Sequence, residues 1–85
     1  MKNVIKNIIL ENYKNIKENH VGIIEYQPYL NFKEYRIMFT TNGLDVNIVI
    51  NQDIIDIYKK DKEYFITYLL EMINTNIVYY YKKGA

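Results

Sequence analysis

His20 is the only histidine in this 85-residue sequence, and no cysteine or serine stands with it. Nucleophilic catalysis of the Ser–His or Cys–His kind therefore has no nucleophile. The remaining candidates are lysine, tyrosine, threonine and carboxylates, none of them set in a motif that would activate it. His20 follows Asn19 just past the expected end of a helix, where the dipole favours a charged imidazole. Asp53 and Asp56 are spaced i, i+3 on a short expected helix, and Asp45 is a third carboxylate to set beside them. A cation needs several convergent oxygens, and no EF-hand-like spacing is present, so this pair reads as acids favoured by a helix N-terminus. Gly22 and Gly43 are isolated and make no phosphate-cradling loop. The sequence points to no enzyme, no metal and no cofactor.

Tyrosine and lysine carry the remaining chemistry. The chain has ten tyrosines, three of them consecutive in "NIVYYYKKGA" (76–85). At about 100° per helical residue, Tyr80 falls on the core stripe while Tyr79 and Tyr81 fall on opposite flanks. Tyr68 lies on the side of Tyr79. Exposed tyrosine offers a large contact area at low entropic cost, so Tyr68, Tyr79 and Tyr81 are candidates for binding a protein partner. Base stacking fits less well, because stacking platforms sit in basic grooves, and Lys82 and Lys83 are accounted for by a helix C-terminus. The other lysines form two groups. Lys2, Lys6, Lys14 and Lys17 share one side of the first expected helix, and Lys59, Lys60 and Lys62 cluster at the start of the last. A solvated face explains both groups. The alternative is nucleic-acid binding through Lys6, Lys14, Lys17, Lys59, Lys60 and Lys62.

These side chains must be positioned by a small number of elements. Residues 3–18 place Ile5, Ile8, Ile9, Tyr13 and Ile16 on one helical face, with Asn3 as N-cap. Residues 21–29, "VGIIEYQPY", read as a strand that Pro28 confines to a sheet edge, and "LNFK" (30–33) reads as a connection. In "EYRIMFTTNGLDVNIVIN", Asn42-Gly43 is the preferred pair for a two-residue type I′ hairpin turn. Folding there pairs Thr41 with Leu44, Phe39 with Val46, Ile37 with Ile48 and Tyr35 with Ile50. The opposite face then carries Arg36, Met38, Asp45, Asn47 and Val49. Residues 51–60 form a short helix capped by Asn51 or Asp53. Residues 62–82 form a longer one, capped by Asp61, with Phe65, Ile66, Leu69, Met72, Ile73, Ile77 and Tyr80 inward. Asn12 and Asn76 interrupt two of the apolar stripes, and Asn76 is expected where its stripe runs off the core. The result is an α+β fold, a three-stranded antiparallel β-meander with helices on one face, in the order α-β-β-β-α-α.

The length allows one domain with one core. With 49% hydrophobic and 25% charged residues and a net charge of +1, the composition fits a folded globule and favours no partner class by charge alone. The absence of cysteine excludes a disulfide scaffold and suits a reducing compartment. The lysine and asparagines in "MKNVIKNIILENY" interrupt its apolar part, so no signal peptide is read there. No apolar run reaches the ~20 residues of a membrane span. A cytoplasmic protein is expected, in a bacterium or in a host cell.

The size and the α-β-β-β-α-α order, centred on "FTTNGLDVNIVINQDIIDIY", resemble the small phage anti-CRISPR proteins that block Cas9. The resemblance spans nearly the whole chain as layout. It implies a non-enzymatic protein of a mobile element that acts by occupying a surface. A helix, a meander and a last helix with a lysine-rich start is also the order of double-stranded-RNA-binding domains. In place of their Gly-Pro-x-His loop and Lys-Lys-x-Ala-Lys helix start this chain has "LNFK" and "KKDKEYF", the latter interrupted by Asp61 and Glu63. The leading expectation is a non-catalytic inhibitor or adaptor with a protein partner. Its contact surface would comprise Tyr68, Tyr79 and Tyr81 together with Arg36, Met38, Asp45 and Asn47 on the sheet face the helices leave open, which would also suit a second copy in a homodimer. The alternative is a nucleic-acid-binding module.

Overall fold

The structure, a computed structural model, describes residues 1–13, 16–17 and 20–84, with side chains described as far as residue 77. The elements run α1 (Lys2–Asn12), β1 (Gly22–Tyr29), β2 (Phe32–Thr41), β3 (Leu44–Asn51), α2 (Gln52–Lys60) and α3 (Lys62–Gly84). The strands form one antiparallel sheet in the order β1-β2-β3. This is the expected α-β-β-β-α-α meander of an α+β fold.

The β2–β3 hairpin has the register that its turn chemistry dictates. Asn42 and Gly43 adopt φ of 51° and 77°, the left-handed values that only Gly, Asn and a few others accept cheaply. Thr41 then faces Leu44, Phe39 faces Val46, Ile37 faces Ile48 and Tyr35 faces Ile50. Tyr35, Ile37, Phe39, Val46, Ile48 and Ile50 are all buried on one face. Against them pack Ile5, Ile8 and Ile9 from α1, Ile55 from α2, and Phe65, Leu69 and Ile73 from α3. The Tyr58 and Phe65 rings meet edge-on at 5.4 Å across the α2–α3 corner. Both C-terminal helices start on side-chain caps, as expected. Asn51 Oδ1 accepts from Ile54 N at 3.3 Å, and Asp61 Oδ1 accepts from Tyr64 N at 3.1 Å.

Four local expectations need correction. The first helix ends at Asn12 rather than at residue 18, and it starts from Met1 without a side-chain cap, so Asn3 is not its N-cap. Tyr13 turns extended (φ −125°, ψ 128°). Its hydroxyl donates to Asn74 Oδ1 at 2.8 Å, and its ring lies 5.7 Å from that of Phe39. This tertiary anchor outweighs the helical period that residues 13–18 carry. The Asn12 side chain folds back on the helix, its Nδ2 donating to the Ile8 carbonyl at 2.7 Å, one turn earlier. Asn12 is therefore exposed rather than inside a buried stripe.

The connection after β1 is also shorter than "LNFK". Only Leu30 and Asn31 turn, with Asn31 at φ 63°, and Phe32 and Lys33 already belong to β2. The β1–β2 ladder breaks register between Tyr26 and Tyr29, around Pro28. This is where an edge strand tolerates a missing N–H. Finally, Asn76 does not run off the core. It is half-buried, and its Oδ1 accepts from the backbone of Asn47 in β3 at 3.4 Å.

Gly43 has nothing within 4 Å of the position a Cβ would take, so a substitution there tests the backbone alone. Gly43→Val should destabilise the domain by about 1–3 kcal/mol, the cost of a β-branched residue held at positive φ. Urea unfolding at equal protein concentration measures it. An unchanged midpoint would mean that the turn does not set the register.

Candidate protein-binding surfaces

Parity along the strands builds the first surface. With odd-numbered β2 residues turned to the helices, the even ones face away. They form cross-strand rows with their partners in β1 and β3. Gly22, Met38 and Asn47 make one row, Ile24, Arg36 and Val49 the next, and Tyr26, Glu34 and Asn51 a third. Thr40 and Asp45 continue the face toward the turn, joined by a 2.8 Å bond from Thr40 Oγ1 to Asp45 Oδ1. Arg36, Met38, Asp45 and Asn47, separated in sequence, thus come together on the sheet face opposite the helices. Arg36, Asp45 and Asn47 are exposed and Met38 is half-buried. Three further members are apolar and exposed: Ile24 (51%), Tyr26 (44%) and Val49 (40%). Ile24 and Tyr26 were missed in the sequence. Extending the β2 alternation one strand back would have found them, but that needs the β1–β2 register, which the bulge near Pro28 conceals.

Gly22 gives this face its relief. Lacking a side chain beside Met38, it leaves an open depression of about 450 Å³ lined by His20, Gly22, Met38, Thr40, Asp45 and Asn47 among others. His20 is exposed, and its N–H donates to the Lys17 carbonyl at 2.9 Å. The dipole role expected for it lapses, because α1 ends eight positions earlier, at Asn12.

The second surface is a groove of about 470 Å³ between α3 and β3, lined by Ile48, Tyr68, Glu71, Met72, Thr75 and Asn76. Tyr68 is half-buried here, on the helical layer and away from Arg36 and Met38. The tyrosine surface and the sheet surface are therefore two places. The side chains of Tyr79, Tyr80 and Tyr81 lie outside the described residues.

Among the described residues, the candidate lysines sit on separate elements. Lys17 follows the end of α1 and so shares no helix face with Lys6, which is half-buried; Lys14 lies outside the described residues. Lys59, Lys60 and Lys62 are exposed at the α2–α3 corner, and Lys62 Nζ sits 5.6 Å from the centre of the Tyr58 ring. The carboxylates disperse as well. Asp45 stands at the turn end of β3, and α2 begins at its far end, roughly 20 Å away at the rise of a strand. Asp53 lies in the first turn of α2, and Asp56 accepts from Gln52 Nε2 at 2.9 Å. Among the described residues no group of three or more His, Cys, Asp or Glu side chains is placed to hold a metal ion. Nor is any helix among them long and apolar enough to cross a membrane.

One polar cluster fixes the outer strand. Tyr35 Oη donates to Glu25 Oε1 at 2.9 Å, and Lys33 Nζ lies 3.4 Å from the same oxygen. The hydrogen bond from Tyr35 and the contact with Lys33 hold the Glu25 carboxyl below its ordinary range. Burial, reinforced by that hydrogen bond and by the Glu25 charge, pushes the Tyr35 phenol up to about 12.

No protein family, curated protein or solved structure matches the chain.

Folding raises the Tyr35 pKa above its ordinary 10.0, so the folded state holds that proton more tightly than the unfolded chain does. The stability this confers is complete below pH 10 and is lost as the pH rises from there toward 12. Tyr35→Phe should flatten this alkaline decline in a series of urea melts, and a variant as steep as the parent would remove Tyr35 as its source.

Proposed function

We propose that this chain is a non-catalytic protein-binding module, an inhibitor or adaptor that acts by occupying a surface of another protein. The observation that carries the proposal is the open sheet face. Ile24 on β1 and Val49 on β3 are exposed on either side of Arg36, with Tyr26 beyond Ile24 and Asn47 and Asp45 beyond Val49, giving apolar contacts interspersed with polar groups on a rigid sheet. That is the anatomy of a non-obligate protein interface, in which a few aromatic and apolar anchors supply the energy and flanking polar groups set the register. The sheet needs no rearrangement to present these side chains, so little ordering entropy is lost on binding. The α-β-β-β-α-α layout resembles that of the small anti-CRISPR proteins, which makes an effector nuclease of that kind the first partner to assay.

The nucleic-acid alternative would draw Lys6, Lys17, Lys59, Lys60 and Lys62 from separate elements, and phosphate binding gains from several cations along one track; the sheet face, set by one register, is the better-defined surface.

Affinity capture from the source cells, repeated with face variants, tests the reading. The parent should retain a defined protein partner. Arg36→Glu and Val49→Asp, each exposed and outside the core, should each weaken that complex at least about tenfold, a loss of ~1.4 kcal/mol. Both should leave the melting curve in place, while Lys59→Ala with Lys60→Ala should leave binding unchanged. Steeply salt-dependent retention on immobilised nucleic acid, abolished by the lysine pair and untouched by the face variants, would replace this reading with the alternative.

A further inference from the structure

The two outer edges of the sheet are treated differently. In an antiparallel ladder, alternate residues turn both N–H and C=O outward. On β3 the outward set includes Asn47, and its N–H is taken by Asn76 of α3 at 3.4 Å. Since Met38 faces Asn47 and Gly22 faces Met38, the same alternation turns Ile23 and Glu25 outward on β1. Among the described residues, no backbone or side-chain hydrogen bond reaches those two peptide groups. Along Gly22–Tyr26 β1 carries no lysine or proline, and its one charge, Glu25, is drawn back to Lys33 and Tyr35 of β2. Pro28 and the bulge after Tyr26 protect only its far end.

We propose that this edge pairs with the same edge of a second copy, antiparallel about a two-fold axis at Ile24, to give a continuous six-stranded sheet. The axis position follows from three features. Ile23 and Glu25 must be the hydrogen-bonded pair, and placing Ile23 opposite Glu25 of the other copy centres the ladder on Ile24. That ladder spans Gly22–Tyr26 on each chain and stops where the bulge begins. It also sets Tyr26 opposite Gly22 of the other copy, so each ring covers the depression that Gly22 opens beside Met38. The exposed Ile24 side chains meet at the axis. Charge does not oppose the pairing: Glu25, the one charged residue of β1, is already partnered by Lys33, and the chain carries only +1. The pairing takes up Ile24 and Tyr26, two of the apolar side chains of the protein-partner reading, and leaves Arg36 and Val49 exposed on the joined sheet for that partner.

Sedimentation equilibrium of the full chain from about 1 µM to about 1 mM should show the mass passing from one chain to two. Two variants should raise the dimer dissociation constant at least about tenfold. Ile24→Lys puts like charges at the axis. Gly22→Val fills the depression, and its new Cβ would meet only Met38 at 3.7 Å, an ordinary contact, so the monomer should still fold. Hydrogen exchange gives the edge-specific signature: the Ile23 and Glu25 amides should slow as concentration rises. A monomer throughout the range overturns the proposal. So does a dimer that both variants leave intact, or one in which those two amides exchange as fast as in the monomer.

Discussion

The register of the β2–β3 hairpin is the constraint from which the other placements follow. Side chains alternate along a strand, so a slip of one residue would exchange the two faces of the sheet. Tyr35, Ile37, Phe39, Val46, Ile48 and Ile50 would turn to water, and Arg36, Asp45 and Asn47 would meet α1 and α3. The Asn42-Gly43 turn prevents this with two left-handed residues. The same turn fixes which β2 residues offer their backbone groups to β1, and the β1–β2 pairing then sets Ile24 and Tyr26 on the open face. Fold and candidate surface therefore share one local determinant.

The helices cover the buried face unevenly. α3 supplies Phe65, Leu69 and Ile73, all fully buried, and also reaches the edge of β3 through Asn76. α2 joins β3 to α3 with a cap at each of its junctions, Asn51 before it and Asp61 after it. Its first residue, Gln52, also prolongs the sheet: Gln52 Oε1 accepts from Lys33 N at 3.1 Å just beyond the last β2–β3 pair. A side chain there takes the place of the next backbone partner. The C-terminal half is thus closed by hydrogen bonds at its edges, while the β1 side relies on α1 and the Tyr35–Glu25–Lys33 cluster.

Much of this was legible in the sequence wherever the signal was local. Asn-Gly between alternating runs set the hairpin register residue by residue, and caps were readable at Asp61 and at Asn51 or Asp53, because a cap acts within one helical turn. The misreadings lay where distant residues decide. Residues 13–18 carry a helical period, yet Tyr13 is drawn out of the helix by Asn74 and Phe39, and nothing near Tyr13 announces either. Asn76 looked like a stray polar residue on an apolar stripe because its partner is the backbone of Asn47, on another element. The candidate surface was half visible. Arg36, Met38, Asp45 and Asn47 follow from hairpin parity, whereas Ile24 and Tyr26 require a pairing that the bulge at Pro28 disguises.

The Tyr13 contact also bears on how the chain assembles. It joins positions 61 residues apart, from Tyr13 to Asn74, so closing it requires nearly the whole chain to be in place. The hairpin and the α2–α3 corner, by contrast, close over short loops. Loop-closure entropy favours the short-range units first, and the long-range tie is gained last. On that ordering α1 docks onto a sheet whose register the hairpin has already set, and Tyr13 closes against Asn74 and Phe39 with it.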